Sequence, residues 1–337
     1  MGEIVAVVLA AGEGKRMKSK NSKVVHKVCG KPLIKWVYEA VKKSGINSSV
    51  FVVGHREDQV RACLGNEVSY AVQEKQLGTG HAVMQAEEFL KDREGIAVVL
   101  YGDTPLISES TIKTAIQFHK NNANSATVIT AELDDPTGYG RIIRGVKGEF
   151  LKIVEHKDTN EAERSVKEIN SGIYCFDIKD LRGALKELSN NNSQGEYYLT
   201  DTLEILMSKG LKVGAVKIAD SNEILGINDR IQLVEASELI RKRINRRHMA
   251  SGVTIIDPDS VYIDDEVRIG IDTVIYPGAY LEGETVIGED CIIGPGSRLV
   301  NSQIGNGAEI NNSVVLDSSI GDGKHIGPFA YVSQSQE

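Results

Sequence analysis

Residues 263–299 read IDDEVRIGIDTVIYPGAYLEGETVIGEDCIIGPGSRL. An aliphatic residue recurs at every sixth position: Ile263, Ile269, Ile275, Leu281, Ile287, Ile293 and Leu299. Four positions after most of these stands a small or β-branched residue, at Val267, Thr273, Ala279, Thr285, Cys291 and Ser297. A sustained period of six predicts a parallel β-helix, in which each hexad supplies one short strand. The aliphatic side chain points into the prism and the small residue fits a tight corner. Three hexads close a coil, so the run predicts about four coils. Glycine follows the aliphatic position at 270, 288, 294, 305, 321 and 327. The register slips between Leu299 and Ile304 and again before Ile320, which reads as small bulges or outward loops.

Upstream the period changes. Residues 229–250 read as one helix, whose apolar positions Ile231, Val234, Leu239, Ile240 and Ile244 suit a connector lying against a neighbour. Its basic residues Arg241, Lys242, Arg243, Arg246 and Arg247 gather towards the C-terminal end, where they favour the helix dipole. Over residues 1–228, short β-branched runs alternate with amphipathic stretches. Ile4–Leu9, Ser49–Val53 and Ile96–Leu100 read as strands; Leu33–Lys43, Glu57–Leu64 and Gly80–Leu90 read as helices. Such alternation predicts an α/β, Rossmann-like domain with a mostly parallel sheet covered on both faces. Ligands then bind at the carboxyl ends of the strands. Three segments result: an α/β domain at 1–228, a linker helix at 229–250 and a β-helix at 251–337.

No apolar run approaches the roughly 20 residues of a membrane-spanning helix. The opening residues are apolar but lack a basic leader, so they read as a buried strand and not a signal peptide. Cys29, Cys63, Cys175 and Cys291 form no CxxC pair; a zinc site or disulfide framework is not expected, and a reducing cytoplasm fits. The net charge of −8 argues against a nucleic-acid partner. Against that trend, Lys15, Arg16, Lys18, Lys20, Lys23, Lys27 and Lys31 crowd one early stretch, either a solvated basic loop or a local phosphate site.

Three motifs carry candidate chemistry. Leu9-Ala10-Ala11-Gly12-Glu13-Gly14-Lys15-Arg16-Met17 follows the first strand, and its glycines let the backbone approach a polyphosphate. It is neither GxGxxG, since Met17 stands where Gly is required, nor a P-loop. Tyr101-Gly102-Asp103 ends a strand, and Asp103 is either a metal ligand or a cap for the turn through Thr104-Pro105. Gln73-Glu-Lys-Gln-Leu-Gly78-Thr79-Gly80-His81 offers amides for a base edge and a chain that can approach closely; His81 either starts a helix or takes part in catalysis.

These stretches, in order with Asp134–Ile142, Ile153–Asp158, Glu168–Gly172, Gln194–Asp201 and Gly226–Arg230, resemble the bacterial bifunctional N-acetylglucosamine-1-phosphate uridylyltransferases/glucosamine-1-phosphate N-acetyltransferases. The likeness covers the whole uridylyltransferase domain and the start of the family's left-handed β-helix. It implies that Leu9, Ala10, Ala11, Gly12, Gln73, Gly78 and Thr79 hold uridine and its phosphates, with Tyr101 and Gly102 also in the substrate site. It implies catalytic roles for Arg16 and Lys23 on the triphosphate, and Mg²⁺ on Asp103 and Asn228. Gly140, Glu155 and Asn170 would bind the N-acetylglucosamine moiety, with Asn228 counted among the substrate contacts as well. The family usually has Thr at the place of Lys15, Pro at Ser22 and Thr at Ser171, and Lys15 adds a charge inside the loop.

The reaction so implied joins UTP and N-acetylglucosamine-1-phosphate, giving UDP-N-acetylglucosamine and pyrophosphate for cell-wall precursor synthesis. The alternatives are a nucleotidylyltransferase for another sugar-1-phosphate, or a non-catalytic sugar-nucleotide-binding protein on the same fold. The family's β-helices associate as trimers. Its acetyl-coenzyme A site lies on coils beyond Ile326-Gly-Pro-Phe-Ala330, and residues 331–337 read as a polar tail, so no acetyltransferase activity is expected.

Overall fold

The computed structural model describes residues 2–192 and 194–334. By contacts the chain forms two compact units: Met1–His26 with Pro32–Gln232, and Lys27–Lys31 with Leu233–Glu337. The second grouping was not foreseen, since residues 27–31 lie far upstream of the β-helix in sequence.

In the first unit, β1 (Glu3–Leu9), β2 (Ser48–Val53), β3 (Ser69–Val72), β4 (Gly95–Tyr101), β5 (Ala126–Glu132), β6 (Arg141–Arg144), β7 (Phe150–Val154), β8 (Glu168–Asp177) and β9 (Val213–Lys217) form a nine-stranded sheet. The order is β9-β5-β8-β4-β1-β2-β3, with β6 pairing β8 and β7. β1 is parallel to β2 and β4, while β8 runs antiparallel to β4 and β5. Side chains alternate across β1: Ala6 and Val8 join one core, Val5, Val7 and Leu9 the other. Leu33–Lys43 and Glu109–Asn121 cover the first face; Ile178–Leu185 and Asp201–Ser208 cover the second. Because the chain leaves β1 towards β2 on one side and β4 on the other, a crevice opens at their carboxyl ends.

The single helix expected over Gly80–Leu90 is two, Thr79–Met84 and Glu87–Leu90. Gln85 and Ala86 donate to carbonyls three residues back, and the Gln85 amide takes the carbonyl of His81 (3.0 Å) that the α-helical ladder would have used.

The second unit carries the helix Arg230–Ala250 from Leu233 on, followed by the coils. Three parallel sheets of five, five and four two- or three-residue strands make the faces of a left-handed β-helix. Leu281, Ile293 and Leu299 are wholly buried, as are the corner residues Thr273, Ala279, Thr285, Cys291 and Ser297. The slipped register is a contraction, not a bulge. Ile269 pairs with Ile287, eighteen residues on, but Ile287 pairs with Ile304 and Leu299 with Val315. Each shortened rung turns on Asn301, Asn312 or Asp317 at φ 48°, 44° and 47°. The buried serine that follows, Ser302, Ser313 or Ser318, donates its hydroxyl to the carbonyl two residues back (2.7–2.8 Å). Asn and Asp tolerate the left-handed region, so the corner closes with one residue fewer. Tyr331–Ser333, read as tail, is a further strand on Val314–Leu316; residues 335–337 lie outside the described residues.

On the connecting helix, Ile240 and Ile244 are buried, but Ile231 and Val234 are exposed, against the expectation that all face a neighbour. Its basic residues do more than complement the dipole: Arg241 lies over the Tyr262 ring at 4.7 Å, and Arg247 bonds Asp265 at 2.9 Å.

Candidate active site

The crevice is built by backbone. The Gly102 amide donates to the Leu9 carbonyl (2.9 Å) and the Ala10 amide to the Val52 carbonyl (2.8 Å), fixing the end of β1 between those of β4 and β2. A side chain at position 102 would press on the Ile34 side chain, which favours glycine there. Among the described residues, nothing beyond its chain neighbours lies within 4 Å of where a Cβ on Gly12 would stand, so the bare backbone there is open to a ligand. Leu9, Ala10, Ala11 and Gly12, with Gln73, Gly78 and Thr79, line a cavity of about 350 Å³.

Gln73 is buried, and its amide donates to the Gly78 carbonyl (3.2 Å) and meets His81 Nδ1 (3.0 Å). His81 also stacks on Tyr197, and burial lowers its pKa. The ring therefore serves to hold Gln73. The glycines of Gly78-Thr79-Gly80 answer first to the chain's own packing: a Cβ on Gly78 would lie 2.5 Å from the Tyr197 carbonyl, and the Gly80 amide donates to that carbonyl (2.8 Å).

A second cavity of about 680 Å³ shares Thr79 and Tyr101 with the first. Glu155, Asn170 and Tyr174 line it. Burial, then the charges of Asp158 and Asp201, raises the Glu155 pKa. Gly140 lies beside Glu155 and Asn170. Its carbonyl accepts from the Asn170 amide (2.9 Å), and a Cβ there would crowd Ile153 and approach Glu155.

Lys23, Asp103 and Asn228 converge in the first cavity. Lys23 Nζ forms an ion pair with the Asp103 carboxylate and donates to Asn228 Oδ1 (3.1 Å). The Asn228 amide is oriented by its own Nδ2 on the Gly226 carbonyl (3.2 Å), and the loop by the Ile227 amide on the Asp103 carbonyl (2.9 Å). The turn after Asp103 is closed by the Thr104 hydroxyl on the Tyr101 carbonyl (2.8 Å), so the carboxylate is left for the cleft. Gly14, at φ 64°, lets Lys23 pass: a Cβ would stand 2.6 Å from that of Lys23.

The early basic cluster disperses. Arg16 lies exposed on the turn Lys15–Met17 and lines neither cavity. Lys15 pairs with Glu13 (2.8 Å), which neutralises the extra charge in the loop. Lys31 is buried against Asp265 (2.5 Å) and Glu266 (3.1 Å) in the second unit, away from phosphate duty. The Ser22 amide donates to Gln59 (2.8 Å), a bond that proline could not make. The sequence reading missed Gln76, which lines the cleft and bonds the Ala11 carbonyl (2.6 Å), and Glu196 and Tyr174. Gln76 and Glu196 stand within stretches already quoted for the resemblance.

None of the four cysteines is joined in a disulfide. Among the described residues no helix is long and apolar enough to cross a membrane. Residues 5–222 match the nucleotidyl transferase family, and residues 266–301 match the bacterial transferase hexapeptide family (six repeats). The chain is 65% identical over 329 residues to the bifunctional protein GlmU of Acetivibrio thermocellus, spanning 98% of this chain and 71% of that protein. It is 58% identical to the protein of the same name from Caldanaerobacter subterraneus (98% and 72%) and 54% to that from Clostridioides difficile (97% and 71%). An identity this high over nearly the whole chain, on a fold with both matched parts in place, decides the matter: the chain belongs to the GlmU family and is a nucleotidyl transferase of the UDP-N-acetylglucosamine pyrophosphorylase kind.

Proposed function

We propose that UMP passes from UTP to N-acetylglucosamine-1-phosphate where the two cavities meet, with Mg²⁺ held by Asp103 and Asn228. The observation that carries this reading is the convergence of Lys23 Nζ on two protein oxygens, one charged and one neutral. The pair already accepts a cation. Among the described residues no cluster of three acidic, histidine or cysteine side chains offers an alternative site. Two protein oxygens suit Mg²⁺, which takes its remaining ligands from water and substrate phosphates. When bound, the ion neutralises phosphate charge and aligns the reacting phosphates.

The protein's own residues supply the rest. The attacking sugar phosphate is already an anion, so no general base is needed; positioning and charge carry the rate. Leu9 to Gly12, Gln73, Gly78 and Thr79 hold the nucleotide, with Tyr101 at the junction of the cavities and Gly102 setting the end of β4 against Leu9. Glu155 and Asn170, backed by Gly140, hold the sugar. Lys23 offsets charge building on the phosphates, and Arg16, on its exposed turn, offsets the pyrophosphate. A charged contact that tightens in the transition state contributes about 3 kcal/mol.

The test is pyrophosphate release with UTP, Mg²⁺ and a panel of sugar-1-phosphates. N-acetylglucosamine-1-phosphate should be the preferred acceptor, and release should vanish on chelation. Equal turnover of glucose-1-phosphate, or preference for another nucleotide, would overturn the assignment of sugar or base.

A further inference from the structure

We infer that Tyr174 is a specificity-determining positioning residue, holding the Asn170 amide so that it reads the acetyl carbonyl of the sugar. The inference rests on the reading of Asn170 given above and goes beyond it to Tyr174, an almost wholly buried residue of the same cavity lining. Asn170 and Tyr174 lie on β8. In an extended strand, residues four apart stand about 13 Å from one another. Here the pairing of β8 with β5 breaks between them: Asn170 faces Thr130, but Tyr174 faces Val128. Four steps on one strand thus match two on the other, so the intervening residues bulge. Gly172 occupies that bulge at φ 79°, and a side chain there would strike the Tyr101 ring. Bulges of this kind re-aim side chains beside active sites.

The result is a doubly bonded amide. The Tyr174 hydroxyl donates to Asn170 Oδ1 (3.0 Å), and the Gly172 amide donates to the same atom (2.9 Å). A backbone N–H can only donate, so the atom it meets is the oxygen, and the flip of the amide is fixed by chemistry. Both accepting positions of Oδ1 are then used, and Nδ2 remains for the pocket. A group that only donates selects an acceptor on the substrate. An acetamido carbonyl is such an acceptor and extends two bonds beyond the ring substituent atom, whereas an unacetylated sugar carries there only a hydroxyl, a weaker acceptor that stands closer to the ring. Tyr174 is 1% exposed and its phenol stays protonated, because burial raises its pKa well above the ordinary value. It is therefore a constant donor and does not touch the reacting atoms.

The test is the ratio of kcat/KM for N-acetylglucosamine-1-phosphate to that for glucose-1-phosphate. Tyr174→Phe removes one oxygen from a packed ring and should lower that ratio three- to tenfold, the loss of one hydrogen bond's discrimination. The KM for UTP should not move, which a merely damaged fold would not spare. In an Asn170→Ala background the same substitution should leave the ratio unchanged, since the amide it holds is gone. An unaltered ratio in the single variant, or the same loss in both backgrounds, overturns the inference. A parent enzyme that shows no preference for the acetylated sugar instead overturns the reading on which it stands.

Discussion

The β-helix and the nucleotidyl transferase unit encode their structures in opposite ways. In the coils, residues of the same type recur at fixed spacing, and each stacks on its counterpart one turn away: Ile275 on Ile293, Leu281 on Leu299. Neighbours in space are predictable from neighbours in count. In the sheet unit the proposed chemistry draws on residues 80 and 205 positions apart, with Lys23 meeting Asp103 and Asn228. Only the topology brings them together. The coils spend their sequence on burial, whereas the cleft keeps polar groups that contribute little to the core. Stability and turnover should therefore separate between the two regions.

The largest effect expected is on turnover. Asp103→Ala should lower kcat roughly 10³-fold with the melting temperature unchanged, because the carboxylate's partner is a cation and not the core. Near-parental turnover would make Asp103 a bystander. The converse experiment is Leu281→Ala, which empties a fully buried rung and should cost about 3 kcal/mol in denaturant unfolding, with kcat preserved in the folded enzyme. A matched loss of kcat would erase the contrast between the regions. Next, Lys23→Ala should reduce kcat about 10²-fold while moving the sugar-phosphate KM little, since its charge matters most as negative charge builds. A change confined to that KM would contradict the role.

Acid should erase the contrast, since each unit carries a histidine buried in neutral form. Burial lowers the pKa of His119, in the sheet unit, and of His248, in the other, from 6.5 to about 4. A depressed histidine pKa means that the unfolded chain binds the proton first. Stability is thus full above about pH 6.5 and falls as pH drops towards about 4. His119→Asn should flatten that slope in equilibrium unfolding; a slope unchanged by the substitution would show that other groups set it. The smallest effect is at a contracted corner: Asn301→Ala, at φ 48°, should cost about 1 kcal/mol. No loss there would mean that the corner relaxes to another conformation.

What could be read from the chain follows the same divide. The period of six placed the inward residues because every rung repeats one requirement. The contracted rungs were misread as bulges, although Asn301-Ser302, Asn312-Ser313 and Asp317-Ser318 mark them: a residue that tolerates positive φ, then a serine that closes the corner. In the sheet unit the alternation gave β1, β2 and β4, and hence the place of the crevice. The roles of Lys23, Asp103 and Asn228 came from resemblance, because no local pattern joins them. Tyr174 escaped notice for a related reason. It sits in the apolar run Ile173-Tyr174-Cys175-Phe176, which reads as buried strand, and only the bulge before it turns its hydroxyl to Asn170.

The two cavities share Thr79 and Tyr101, and the proposed reaction needs nucleotide and sugar to meet there. The reverse reaction tests it with a single ligand that must fill both. Incubated with UDP-N-acetylglucosamine, pyrophosphate and Mg²⁺ and followed by ³¹P nuclear magnetic resonance, the protein should produce UTP and N-acetylglucosamine-1-phosphate in equal amounts. The Asp103→Ala variant should not. Binding of UDP-N-acetylglucosamine without any UTP formed by the parent protein would contradict the claim and leave a sensor in place of an enzyme.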